Sequence, residues 1–114
     1  MLPKENRLKK KKDFDQVFKQ GKSFKEDFLF LKTKKNKLKE PRFGFIVSTK
    51  ISKKAVVRNK IKRRLREIAK GSLVRLRPGL DVVLVAQKGI EEKEFAEIKE
   101  VCEKLFRKAN ILND

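Results

Sequence analysis

The sequence predicts a mixed fold, an α+β or α/β sandwich built round a small sheet. Three observations predict it. Segments of helical spacing and short apolar runs follow one another in the order helix, strands, helix, strand, helix. The run LDVVLVA, Leu80 to Ala86, lacks polar alternation and reads as a strand covered on both faces. The chain has 114 residues, 39% of them apolar, which suits one compact domain over 1–114 with a modest core.

The first twelve residues form a basic arm, Lys4, Arg7 and the run Lys9 to Lys12, readable as a solvated charge run or as part of a binding surface. A helix is expected from Asp13, with Asp13 as N-cap and Gln16 three residues on, as in a capping box. Phe14, Val17 and Phe18 share its apolar face, and Gly21 is a natural stop. Two strands are expected next, Asp27 to Thr33 (DFLFLKT) and Arg42 to Ser48 (RFGFIVS). The second has hairpin character, and the basic loop Lys34 to Pro41 separates the two. Alternation in the second strand puts Phe43, Phe45 and Val47 on a core face. Gly44, Ile46 and Ser48 fall on the other, the possible floor of a groove.

A long helix is expected over Lys54 to Lys70, ended by Gly71. Val57, Ile61, Leu65 and Ile68 form its apolar stripe. Within it, RNKIKRRLR (Arg58 to Arg66) carries six cationic residues in nine and no acid. At 100° per residue, Arg58, Lys62, Arg63 and Arg66 fall away from the stripe, with Asn59 among them. After a turn at Arg77 to Gly79 and the buried strand, a last helix over Glu91 to Lys108 buries Phe95, Ile98, Val101, Cys102, Leu105 and Phe106. Its early acids suit the positive end of the helix dipole.

Charge narrows the function. Lys and Arg number 33 against 15 Asp and Glu, a net charge of +18 with 42% of residues charged. Such self-repulsion calls for a polyanionic partner: nucleic acid first, an anionic membrane surface second. The acids gather at the end, so residues 1–90 carry about +20 and the rest about −2. The last segment is therefore expected to face away from the anion. No apolar run is long enough to span a membrane, and no signal-peptide pattern opens the chain, so an intracellular, cytoplasmic protein is expected. There is no His and no Tyr, and the lone Cys102 lies on an apolar stripe. No phosphate loop or nucleophile motif is present. Neither a catalytic residue nor a metal ligand is assigned. What the chain offers is a phosphate-binding surface, on which Arg can fork to phosphates and stack on bases. Asn59 suits either a base edge or a ribose hydroxyl, or else caps and hydrates its helix. Phe14 and Phe18 suit either packing on the sheet or stacking of unpaired bases.

Four ordered segments then carry a resemblance: NRL with DFDQVFKQGKS (Asn6 to Leu8, Asp13 to Ser23), RFGFIVSTK (Arg42 to Lys50), AVVRNKIKRRLREI (Ala55 to Ile68) and GLDVVLVAQKG (Gly79 to Gly89). Together they resemble the protein subunit of bacterial ribonuclease P along nearly the whole chain. The resemblance implies an α-β-β-β-α-β-α sandwich of the ribosomal-protein type, with a left-handed βαβ crossover and an extra strand near Lys22 to Lys25. It implies a subunit that binds a large catalytic RNA and assists removal of the 5′ leader from precursor tRNA. The RNA and its Mg²⁺ carry the chemistry; no membrane or DNA partner is implied. Arg58, Asn59, Lys60, Lys62, Arg63 and Arg66 fall on the family's catalytic-RNA-binding segment, Lys60 standing where Arg is common. Phe14, Phe18, Leu31, Ile46, Ser48 and Lys50 fall on its leader-binding cleft, Leu31 at a strand position often aromatic. A general RNA chaperone or ribosomal-protein-like binder is the alternative.

Overall fold

A computed structural model describes residues 2–113. Three helices and four strands follow in chain order: α1 (Lys11–Gln20), β1 (Lys22–Glu26), β2 (Leu29–Lys35), β3 (Arg42–Ile46), α2 (Ala55–Ser72), β4 (Leu80–Ala86) and α3 (Phe95–Lys108). The strands make one sheet in the order β1-β2-β4-β3. β1 and β2, and β2 and β4, are antiparallel, whereas β3 runs parallel to β4. Parallel neighbours need a crossover, which α2 supplies between β3 and β4. The α-β-β-β-α-β-α order is the expected one. β2 and β3 do not form a hairpin, because β4, the most apolar strand, inserts between them. Central β4 is the one strand buried along almost its whole length, as its lack of alternation implied.

Each face of the sheet has its own core. On one, Leu29, Leu31, Phe43, Val82 and Leu84 pack under α2 and α3. Ile61, Leu65 and Ile68 come from α2, and Ile98, Val101, Cys102, Leu105 and Phe106 from α3. On the other face, Val83 packs with Val17 of α1 and Leu8, and Phe14, Phe18, Ile46 and Val85 lie half-buried around them. Residues alternating along a strand point to opposite faces, so this second face collects Phe30 and Lys32 of β2, Val83 and Val85 of β4, and Gly44 and Ile46 of β3.

Several boundaries differ from the sequence reading. α1 begins at Lys11, and its N-cap Lys10 offers no side-chain bond. Asp13 is therefore inside the first turn, where its carboxylate reaches Arg42 at 3.5 Å instead of capping. Asp27 and Phe28 turn the chain between β1 and β2, with Asp27 at φ 48°. α2 runs through Gly71 to Ser72, because Ile68, Ala69 and Ser72 are buried and hold the last turn in place. α3 starts later than Glu91, with Glu94 and Glu97 closing a capping box. That leaves Phe95 40% exposed, outside the core it was assigned to. The N-terminal segment is not a loose arm: Leu2 and Leu8 are buried, and Leu8 donates its N–H to Phe43 O at 2.8 Å along the outer edge of β3.

Candidate nucleic-acid interface

α1 crosses the second face of the sheet from β3 to β2, and two contacts fix its path. Phe14 lies over Gly44, where an added Cβ would come within 2.5 Å of the ring. At the other end, a Cβ on Gly21 would run into Val17 O and meet Thr33 O at 2.7 Å. Glycine at these two positions is what lets helix and sheet approach so closely. One short helix covers only part of the face. Beyond it stays a shallow trough floored by Ile46, Val85 and Phe30, which are cross-strand neighbours in that order and all half-buried. Phe14 and Phe18 form its α1 wall. Lys32 sits at the foot of that wall, donating to Phe18 O at 2.8 Å with Nζ 5.6 Å from the Phe18 ring centroid. Ser48 and Lys50 follow β3 in an exposed turn, where Ser48 Oγ accepts from the Lys50 N–H at 3.3 Å.

The trough gathers most of the expected cleft set: Phe14, Phe18 and Ile46 line it, and Ser48 and Lys50 extend it. Leu31 is the exception. It is fully buried on the opposite face, beneath α2 and α3. The β2 residues on the trough face are Phe30 and Lys32, because the pairing with β4 sets Phe30 beside Val85 and Lys32 beside Val83. The sequence reading left Lys32 and Val85 out, and admitted Phe30 only if the strand register shifted by one. In an unbroken apolar run a one-residue shift exchanges the faces, and only the strand pairing fixes the choice.

The cationic segment lies on α2 with its apolar stripe held in the core. Asn59, Lys60, Arg63 and Arg66 are exposed, and Arg58 and Lys62 are half-buried on the flank. Lys62 and Arg66 line a pocket of about 180 Å³ with Phe14, Phe43, Gly44 and Phe45. This pocket adjoins α1, so the cations of α2 reach the trough's helix round the β3 edge. Arg58 is more than a surface charge: its Nη1 donates to Ser52 O at 2.9 Å and pins the turn that enters α2. Arg64, on the opposite flank, donates to Lys93 O at 3.0 Å and ties α2 to the approach to α3. Asn59 does not cap α2, whose N-cap is Lys54, and its amide makes no hydrogen bond among the described residues.

Two acids near this surface, Asp13 and Asp81, are neutralised from within. Asp81 is buried and takes a forked pair from Arg42, Nε and Nη2 each at 2.8 Å, while Arg42 also meets Asp13. The hydrogen bond to Asp81 raises the Arg42 pKa above its ordinary value, against the opposing cost of desolvation. Neither carboxylate is left to repel an incoming anion. Cys102 is fully buried, and burial pushes its thiol up to about 12, which leaves it a packed apolar side chain. Among the described residues no group of three or more acidic or Cys side chains converges as a metal site, and no helix is long and apolar enough to cross a membrane.

A half-covered sheet face with an aromatic wall, flanked by a cationic helix that makes no ion pair among the described residues, defines a polyanion-binding protein of the α+β sandwich class. The comparisons with known proteins narrow this further. The chain belongs to the ribonuclease P protein family: the family model described as Ribonuclease P matches residues 2–110. It is 39% identical over 114 residues to the ribonuclease P protein component of Caldanaerobacter subterraneus, covering all of this chain and 97% of that one. It is 36% identical over 129 aligned positions to that of a Cyanothece species, covering 99% and 98%. The fold matches the solved RNase P protein of Staphylococcus aureus with a TM-score of 0.88 at 30% identity, over 95% of this chain and 98% of that one.

Proposed function

We propose that this chain is the protein subunit of the ribonuclease P ribonucleoprotein, an endoribonuclease that matures the 5′ end of tRNA in the cytoplasm. Its α2 face, Arg58 to Arg66, docks on the catalytic RNA. The trough beside α1 holds the single-stranded leader of precursor tRNA. One observation carries the reading: two surfaces of different chemistry meet at α1, one cationic and suited to a phosphate backbone, the other apolar, aromatic and rimmed by lysine. Unpaired bases stack on exposed aromatic faces, whereas duplex phosphates need only fixed positive charge.

Phosphodiester hydrolysis belongs in this reading to the RNA and its Mg²⁺, and the protein contributes binding and orientation. Contacts to the leader slow the release of precursor but not of mature tRNA, which has no leader to hold. Lysine and arginine between two apposed RNAs replace part of the counterion atmosphere, so less Mg²⁺ is needed for the same assembly.

The test is cleavage of a precursor tRNA by a bacterial ribonuclease P RNA at limiting Mg²⁺. Wild-type protein is expected to restore correct 5′ cleavage, and protein without RNA to cut nothing. The Arg58→Ala, Arg63→Ala, Arg66→Ala triple variant is expected to fail. Cleavage by protein alone would make it a nuclease. Tight RNA binding with no rescue would make it a general RNA binder.

A further inference from the structure

α1 leaves a second opening on its other side. There the sheet, the N-terminal segment and the β2–β3 loop enclose a basin of about 670 Å³ whose rim carries Lys10, Lys12, Lys34, Lys35 and Lys37. None of these five makes an ion pair among the described residues, whereas Arg42, Arg75, Lys104 and Lys108 all do. The acids at its base, Asp13 and Asp81, are held by Arg42.

The rim is built to hold its shape. The Asn36 amide donates to Asp81 Oδ1 at 2.8 Å, and the Asn36 N–H donates to Gly79 O at 2.7 Å. Asn36 Oδ1 accepts from the Leu38 N–H at 2.8 Å. At the far end of the loop, the buried Asn6 donates its amide to Pro41 O at 2.7 Å. Polar side chains thus brace the loop, while the lysines around this concave space make no ion pair among the described residues. Like charges gathered on a braced rim repel one another and are relieved by a bound polyanion.

Continuity decides which one. The basin passes through Lys10 to Lys9 and Arg7, which line the small pocket with Lys62 and Arg66 of α2. One cationic belt therefore runs from α2 round the β3 edge into the basin, while the trough lies across α1. We propose that the basin is a second docking site for the catalytic RNA's phosphate backbone, continuous with the α2 contact and separate from the leader path. This rests on the reading of α2 given above.

The experiment measures binding of a bacterial ribonuclease P RNA transcript, without tRNA, across monovalent salt concentrations. The variant is Lys34→Gln, Lys35→Gln, Lys37→Gln, with the Lys→Arg triple as a charge-preserving control and thermal unfolding to confirm folding. Losing three phosphate contacts should weaken binding about ten- to a hundredfold near physiological salt and reduce the salt slope by roughly 2 to 3. The Arg triple should bind like wild type. In the assembled enzyme the ratio of precursor to mature tRNA affinity should be unchanged. Unaltered affinity and slope for the RNA would overturn the proposal. So would unaltered RNA binding with a reduced precursor-to-mature ratio, which would hand the basin to the leader. If wild-type protein itself fails to bind the RNA, the α2 reading falls and this one with it. A defect confined to the glutamine triple upholds both.

Discussion

The two faces of the sheet are made from the same strands yet do different work. One is sealed by α2 and α3, with Leu29, Leu31, Val82, Leu84 and Phe106 all fully buried. The other is crossed by a single ten-residue helix, so Phe30, Ile46 and Val85 remain half-buried in a trough and a lysine-rimmed basin opens on the far side. Stability is concentrated where the cover is complete, and binding surface arises where it is not. Charge divides within the cover of the sealed face: the acids cluster from Glu91 onwards, on and near α3, whereas Arg58 to Arg66 of α2 are cationic.

Substitutions one residue apart on β2 test the division most severely. Leu31→Ala should cost about 2–5 kcal/mol in denaturant unfolding, as for other fully buried leucines. Lys32→Ala should cost far less, yet lower the affinity of the assembled enzyme for precursor but not for mature tRNA. Equal stability losses at the two positions would collapse the distinction between the faces. Gly44→Ala sharpens it from the other side. Its new Cβ would press on the Phe14 ring, so about 1–3 kcal/mol of stability should be lost and leader binding should fall along with it.

A smaller effect comes from Cys102 on the sealed face. Its folded pKa of about 12 lies above the ordinary 9.0, so folding favours the neutral thiol. The stability it contributes is complete below about pH 9 and is lost as pH rises towards 12. A thiol reagent at pH 8 should therefore modify Cys102 only at the rate of unfolding. Smallest of all, Phe95→Ala should change stability by less than about 1 kcal/mol, because this ring lies at the rim and not in the core. A thermal melt checks it.

The sealed face was the more legible in the sequence. The stripe Ile61, Leu65, Ile68 and the set Ile98 to Phe106 have helical spacing, and β4 announced its burial on both faces by lacking polar alternation. Errors gathered where distant contacts decide. Asp13 has the composition of a cap, but Arg42, 29 residues on, takes its carboxylate. β2 and β3 are joined by a short loop, and nothing local says that β4 will come between them. Leu31 was placed in the cleft by the family resemblance, and DFLFLKT has no alternation to show that it turns into the core instead. At the candidate site, the aromatic spacing of Phe14 and Phe18 and the cationic run Arg58 to Arg66 stood out in the sequence, since each set lies within one helix. The basin was not, because its lysines come from two separate segments, 10–12 and 34–37, that meet only in the folded chain.

The central claim is that the half-covered face holds the leader. It is tested most directly by zero-length photocrosslinking from 4-thiouridine placed along the leader of precursor tRNA, in the assembled ribonucleoprotein, with the crosslinked peptides sequenced. The account predicts crosslinks in the segments holding Phe14 to Phe18, Phe30 to Lys32 and Ile46 to Lys50. Crosslinks confined to α3, or to the lysines of the basin, would contradict it.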